Sequence, residues 1–322
     1  LRVTFVLSNG TVFAGTNNNI LVLTGLRMSA KIICSGFPSW PEMDLAVWGM
    51  RISDMNALSS LSLEVEGVNR NTVLLEANSG DGSGWRAVYS GQIVTAGIDY
   101  SARPDVPLRI AAQVLYYDMV NPAKPTSYTG SVSAATVISN LAASIGCGFE
   151  NNGVTTILPG SPYYPGTVVD QIRECALDAG IDVYAEPSST SGGVPGLDSS
   201  GTAVSTQTVI AICPKGAPRN LPSTFTLSPS TGLDGYPSSD SRGNLNVISL
   251  FNPAFRFGGP LIIAGSNVII EGTGKNIGTL NSRANGNWMI GTLRHQLDAE
   301  VYNGKWHSYM LLYPPDQSPP QQ

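Results

Sequence analysis

The chain has 322 residues, 13% of them charged, with 18 Lys and Arg against 23 Asp and Glu and a net charge of −5 at pH 7. Globular domains carry about 25% charged residues, so this density excludes a coiled coil and charge-driven disorder, and the acidic balance lacks the basic clusters that nucleic acid or an anionic membrane requires. With 35 Gly and 22 Pro beside 42% hydrophobic residues, the composition points to short strands and frequent turns around real cores.

From the first residue, Val3, Phe5 and Leu7 alternate with Arg2, Thr4 and Val6, the period of a strand rather than the apolar block of a signal peptide. No run of about 18 apolar residues occurs, so no transmembrane helix and no membrane insertion are expected. Strands are predicted at Arg2–Leu7, Ile20–Leu23, Leu26–Cys34, Leu45–Arg51, Leu61–Glu66, Thr72–Ala77, Arg86–Tyr100 and Val106–Tyr117, the spacing of a barrel or sandwich. In the last of these Val106, Leu108, Ile110, Ala112, Val114 and Tyr116 share one face, with Arg109 and Gln113 on the other. Asn121–Gly130, carrying Pro122 and Pro125, breaks the pattern and marks a boundary.

Two helices follow, the only ones expected. In the first, Val137, Ile138, Leu141, Ala142 and Ile145 form an apolar stripe, Ser131 or Ser133 can cap the start, and Gly146 takes the left-handed end. The second spans Val168–Ala179, with a capping-box pattern at Thr167 and Asp170, a stripe that includes Ile172 and Cys175, and Gly180 at its end. Strands Ile181–Ala185 and Thr208–Cys213 flank a Ser/Gly-rich insert, Ser188–Thr206, so this middle region reads as a small α/β unit. Strands then return at Thr224–Leu227, Leu245–Phe251, Leu261–Glu271, Asn287–Tyr302 and Lys305–Tyr313, the last two joined by a hairpin at Asn303-Gly304. Met289, Leu293, Leu297, Ala299 and Val301 share one face of the first arm, opposite Arg294, Gln296, Asp298 and Glu300. The stretch Pro314–Gln322 is rich in Pro and Gln.

Catalytic motifs are scarce. The chain contains no G-x-S-x-G elbow and no H-E-x-x-H helix, and Gly272–Asn276 lacks both the upstream Gly and the Ser or Thr of a phosphate loop. Gly80–Gly84 leads into Trp85 and a strand, which makes a β-turn of what would otherwise be a dinucleotide fingerprint. Cys34, Cys147, Cys175 and Cys213 are far apart and read as small apolar residues, not as a metal or disulfide framework. The only histidines are His295 and His307, one on each arm of the predicted hairpin. His295 shares a face with Leu293 and Leu297 and reads as a hydrogen-bonded residue at the core edge. Glu64 and Glu66 lie on one strand face, as a solvated side would. No catalytic, cofactor-binding or metal-ligating residue is therefore assigned. Trp40, Trp48, Trp85, Trp288 and Trp306, with Tyr116-Tyr117 and Tyr163-Tyr164, suit either core and interface packing or stacking on sugars. Tyr89, Ile93, Trp288 and Ile290 are apolar residues on the nominally outer faces of the two long strands, which makes them interface candidates.

The stretches Leu227–Pro237 (with Gly232, Leu233, Gly235, Tyr236 and Pro237) and Leu250–Gly259 (with Phe251, Asn252 and Pro253) resemble the central signature of bacteriophage tail baseplate hub proteins. The likeness extends over nearly the whole chain, through Tyr89–Ile93, Gly130–Gly146, Pro165–Gly180 and Gly286–Asp298 with His295, to a strand at Trp306. Similar folds occur in late-control protein D and in the N-terminal part of contractile injection spikes. The resemblance implies a mainly β fold with a small α/β insert and two small antiparallel β-barrels. The first would occupy 1–120 and the second 216–313, on either side of a middle region over 121–215 that holds the 188–206 loop, with a tail over 314–322. It further implies a non-enzymatic homotrimer without cofactor, a ring of six barrels that adapts the sixfold tail tube to a threefold spike or central fibre. Expected partners are the tail tube or distal tail protein, the spike or central fibre protein and the tape measure protein. The expected location is the virion tail tip, after assembly in the host cytoplasm. Spike, lysozyme and receptor-binding activities, for which nothing follows Tyr313, are expected on separate proteins. The insert at 188–206 and the Ser238–Gly243 connection have no counterpart role in the family. The rival readings are a carbohydrate-binding or adhesin β module, resting on the aromatics, and a peptidoglycan hydrolase, resting on scattered carboxylates.

Overall fold

The computed structural model describes residues 1–8, 10–14, 18–36, 39–59, 71–78, 84–187, 208–221, 224–266, 268–270 and 282–314. The predicted strand Leu61–Glu66, the insert Ser188–Thr206, the stretch Gly272–Asn276, most of Gly80–Gly84 and the tail from residue 315 lie outside them.

The chain opens with β1 (Arg2–Val6), β2 (Ile20–Thr24), β3 (Met28–Cys34), β4 (Glu42–Trp48), α1 (Ile52–Leu58), β5 (Thr72–Asn78), β6 (Trp85–Ile98), β7 (Pro107–Gln113) and α2 (Tyr116–Val120). The middle region supplies β8 (Thr126–Ser127), β9 (Val132–Ser133), α3 (Ala134–Ser144), β10 (Gly148–Asn151), β11 (Ile157–Leu158), β12 (Tyr163–Tyr164), α4 (Val168–Ala179), β13 (Ile181–Pro187) and β14 (Thr208–Pro214). The last part holds β15 (Phe225–Leu227), β16 (Leu233–Ser239), β17 (Leu245–Leu250), β18 (Pro260–Ile263), β19 (Ile269–Ile270), β20 (Gly286–Ala299) and β21 (Trp306–Tyr313).

The fold is mainly β with a small α/β unit, as expected, but the strand-rich halves are fused. One sheet runs β19-β16-β17-β21-β20-β3-β4-β7-β6-β5-β1-β2, and β18 also pairs with β20 and carries β15. The fusion follows from the length of β20. Its first residues pair with β18, Gly286 to Met289, and its last seven pair with β3, from Leu293 opposite Cys34 to Ala299 opposite Met28. Among the described residues no pairing joins β2 to β3 or β19 to β15, so the described strands of neither half form a closed barrel.

Strand alternation sets the packing where it is regular. In β7, Leu108, Ile110 and Ala112 are buried while Arg109 is exposed, as period 2 requires. In α4 the capping box forms as read: Thr167 Oγ1 accepts the Asp170 N–H at 3.1 Å, and the Asp170 carboxylate accepts the Thr167 N–H at 3.2 Å. Gly180 ends that helix at φ 63°, and Val168, Val169, Ile172, Cys175 and Ala176 are buried. Helices α3 and α4 pack together beside the three-stranded sheet β10-β14-β13. A single apolar core runs from the first half into this middle region, while a second, smaller core lies inside the last half.

Several boundaries differ from the sequence reading. The strand expected at Leu45–Arg51 is Glu42–Trp48, and α1 follows it, too short to leave more than the Met55 and Leu58 pair as an apolar signal. The strand expected to reach Tyr117 stops at Gln113, because Leu115 turns left-handed (φ 62°) and α2 begins. Strand β16 was not expected, since Gly235 and Pro237 interrupt its alternation; a register shift between Asp234 and Ser238 accommodates them. The span Leu261–Glu271 divides into β18 and β19, with Glu271 outside the described residues. The β20–β21 turn is longer than a two-residue Asn-Gly hairpin: β20 ends at Ala299, β21 starts at Trp306, and Glu300 and Asn303 both take positive φ.

Candidate functional site

The segment after β17 carries much of the family-like signature, and its backbone is tied down residue by residue. The Leu250 N–H donates to Gly232 O at 2.8 Å, and the Phe251 N–H to Trp306 O at 2.9 Å. Asn252 Oδ1 accepts the Ala254 N–H at 2.8 Å, which folds Pro253 into a turn. The Gly258 N–H donates to Ile290 O, and Gly258 O accepts the Arg219 N–H, both at 2.8 Å. Alternate side chains then go to different cores. Phe255 meets Phe225 edge-on at 5.4 Å inside the last half, and Phe257 meets Tyr184 of β13 edge-on at 4.9 Å. The segment is thus a cross-link between the last half and the middle sheet.

A buried ion network lies beside that contact. Arg219, with 2% of its side chain exposed, donates from Nη1 to Glu186 of β13 at 2.5 Å and from Nη2 to Glu150 of β10 at 2.9 Å. Arg256 Nη1 stands 3.8 Å from the same Glu186 oxygen. Burial alone would lower the Arg219 pKa, but the two carboxylates more than offset it and hold the guanidinium charged. Tyr89, Tyr184, Glu186, Arg256, Phe257 and His295 contribute to the walls of a cavity of about 30 Å³ where the three regions meet. That volume suits one or two ordered waters.

His295 sits on β20 between Phe251, whose ring is 5.1 Å away, and Ser308, whose Oγ is 2.9 Å from Nδ1. Phe251 also meets the Trp306 ring edge-on at 5.6 Å, so three residues of the sequence signature form one edge-on cluster. Burial, reinforced by Arg256, lowers the His295 pKa to about 3. His295 is thus a buried imidazole, hydrogen-bonded to Ser308 and kept neutral at physiological pH, the hydrogen-bonded placement that the sequence reading expected. Its pH dependence has a definite sign. Below the unfolded pKa of about 6.5 the unfolded chain binds a proton that the folded chain refuses, so stability is lost as pH falls from about 6.5 towards 3, at about 1.4 kcal/mol per pH unit. A His295→Asn variant is therefore expected to lose about 3 kcal/mol less than the native chain between pH 7 and pH 4, as read by urea titration at each pH.

The remaining signature residues gather at the β16–β17 edge. Gly232 is left-handed at φ 106°, and a Cβ there would stand 3.3 Å from the Leu250 side chain. Leu233 and Pro237 are buried, Gly235 turns at φ 71°, and Tyr236 is exposed. His307 faces Asp234 at 3.6 Å.

The interface candidates need correction. Tyr89, Ile93 and Ile290 are each 1% exposed, hence enclosed by this chain and not available to a partner; Trp288 is half-buried, with its indole N–H donating to Ala284 O at 2.8 Å. The cause is bulging: the β6 register skips a residue between Ile93 and Thr95, and the β20 register skips Gly291, so simple alternation places side chains on the wrong face. The tryptophans are also engaged: Trp40 is buried, Arg27 stacks on Trp48 and Arg2 on Trp85. Tyr163 is exposed while Tyr164 is buried with its hydroxyl on Asp178. These placements leave little of the sugar-stacking surface on which the adhesin reading rested.

The sequence reading missed Arg219, Glu150, Glu186, Tyr184 and Arg256, since each acts on partners distant in the chain. Of the cysteines, Cys175 and Cys213 are buried and Cys34 and Cys147 half-buried. Burial pushes the Cys175 and Cys213 thiols up to about 12. In the native protein at pH 8, at most two of the four thiols are expected to react with a disulfide reagent, and all four once urea unfolds the chain.

No protein-family model and no curated protein sequence matches the chain. Solved structures do. A tail protein from Neisseria meningitidis MC58 superposes with a TM-score of 0.56 at 12% identity, covering 98% of this chain and 99% of that one. The 43 kDa tail protein of prophage MuSo2 from Shewanella oneidensis gives 0.56 at 8% identity, covering 98% of both chains. An Escherichia coli component of the type VI secretion system, described as structurally similar to the T4 tail proteins gp27 and gp5, gives 0.54 at 7% identity over 93% of this chain and 78% of that one. The chain shares its overall fold with these proteins.

Proposed function

We propose that the chain is a structural protein of a bacteriophage tail, the baseplate hub at the tail tip. In this role it assembles as a homotrimer whose six sheet halves form a ring, adapting the sixfold tube to a threefold spike or central fibre. It contacts the tube or distal tail protein on one side, the spike or fibre on the other, and the tape measure protein. The role is non-enzymatic and needs no cofactor.

The observation that carries the reading is the fold match over 98% of this chain to two tail proteins of matching extent, one of them from a prophage. The fused halves give it a physical basis. With two strand-rich halves in each protomer, joined where β20 pairs with β3, a trimer would carry six such halves, the number a sixfold tube presents. The junction fits as well, since its charged groups are consumed in mutual pairing and its cavity suits a water.

The test is co-expression with the tube-forming and spike proteins of the same tail, followed by light scattering and electron microscopy. A complex with three copies of this chain between a sixfold tube and a threefold spike is the expected result. Failure to associate with either partner, with the chain folded and soluble, would overturn the reading.

A further inference from the structure

Large apolar side chains are exposed at scattered points of the surface, but five gather in one place. Residues Leu245, Val247 and Ser249 of β17 and Ser308, Met310 and Leu312 of β21 are buried, so the intervening residues point outward. On that outer face Ile248 lies opposite Tyr309, and Leu250 lies opposite His307. Tyr236 is exposed beside them, in the irregular part of β16 between the Asp234–Ile248 and Ser238–Asn246 pairs. The β20–β21 turn rises next to Leu250, since the following residue, Phe251, bonds to Trp306 O, and it presents Val301 and Tyr302. Their exposures are 57% for Tyr236, 40% for Ile248, 54% for Leu250, 37% for Val301 and 93% for Tyr302.

Side chains of this size offer about 150–250 Å² each at the aromatic end of the range, so the exposed parts sum to roughly 500 Å². That lies at the upper end of the largest patch a monomer tolerates. One side of a standard interface takes about 800 Å², of which about 56–65% is apolar, so this patch and its polar rim fill one side. The rim carries both signs, with Asp234 and Glu300 against Arg294 and Lys305, which disfavours a strongly charged partner such as a phosphate backbone.

We infer that this outer face of β16, β17 and β21, with the turn at Val301 and Tyr302, is the surface through which one copy of the chain packs on the next. Area argues for a full protein interface, and the aggregation hazard of so large a patch favours the one partner present as soon as the chain is made, another copy. The contact is heterologous, meeting a different surface of the neighbour, as a closed ring of three requires. The inference rests on the assembly reading above and specifies its contact.

The full-length chain, an Ile248→Glu/Leu250→Glu double variant and a Tyr302→Glu variant are compared by light scattering and sedimentation over a wide concentration range, with thermal melts alongside. The native chain is expected to form an oligomer, the double variant to dissociate at least about 100-fold more readily, and Tyr302→Glu about 10-fold, each with a monomer fold unchanged by circular dichroism. Tyr302 is exposed enough that its replacement cannot itself unfold the chain. Native-like association of both variants would overturn the assigned face and leave the hub reading standing. A lowered melting temperature with unchanged mass would mean that the face is covered from within the chain, and the proposal fails. A native chain that stays monomeric throughout would count against self-assembly altogether.

Discussion

Replacing Arg219 with alanine is expected to cost the folded chain about 3 kcal/mol and to loosen the middle sheet from the segment that follows β14. Removing one partner of a fully buried ion pair costs about 3–5 kcal/mol, because the remaining charge keeps its desolvation penalty. Here Arg219 is 2% exposed, but Glu150 is 36% and Glu186 16% exposed, so water recovers part of that penalty and the lower end applies. Arg219→Lys would restore the charge without the fork that reaches two carboxylates on different strands, and a partial loss is expected. The five tryptophans, at 40, 48, 85, 288 and 306, all lie outside the middle region, whereas α3 and α4 lie within it. Urea unfolding followed by tryptophan fluorescence and by circular dichroism at the helix band should shift together to a lower midpoint in Arg219→Ala, since Trp40 and both helices share one core. Coincident curves with an unchanged midpoint would mean that the network contributes nothing to docking.

The same network marks the limit of what the sequence discloses. Helix α4 was legible to the residue because its signals are local: a box at Thr167 and Asp170, a stripe at helical spacing and a glycine that ends it. The regular part of β7 was legible for the same reason. The fusion of the halves through β20 and β3 was not, since it depends on which of two edges a long strand offers to a partner more than 250 residues away. Bulges did more damage than distance. One skipped residue in β6 and one in β20 reversed the parity argument, and the true outward surface turned out to be β17 and β21, whose alternation is unbroken. The signature stretch was recognisable as a pattern, yet its physical purpose, carrying Phe257 to Tyr184 and presenting Gly258 to Arg219, involves residues that no local pattern joins.

Gly258→Ala is the substitution that tests that purpose most directly, with an expected loss of about 3 kcal/mol from two separable causes. Gly258 has φ +73°, and its Cβ, if present, would lie 2.7 Å from the Tyr184 ring. A left-handed conformation costs an L-residue about 1–2 kcal/mol, and forcing a methyl into a packed contact adds about 1–3 kcal/mol. The backbone cannot relax to relieve either one, because Gly258 donates to Ile290 O and accepts from the Arg219 N–H. A double-mutant cycle with Tyr184→Ala divides the two. Removing the ring leaves a cavity and costs about 3–5 kcal/mol by itself, but it also removes the clash, so adding Gly258→Ala in that background should cost only the conformational part, about 1–2 kcal/mol. Stabilities from urea midpoints would give a coupling of about 1–3 kcal/mol. Strict additivity would show that Gly258 does not press on Tyr184, and the cross-link between the last half and the middle sheet would then rest on Arg219 and the Phe257–Tyr184 contact alone.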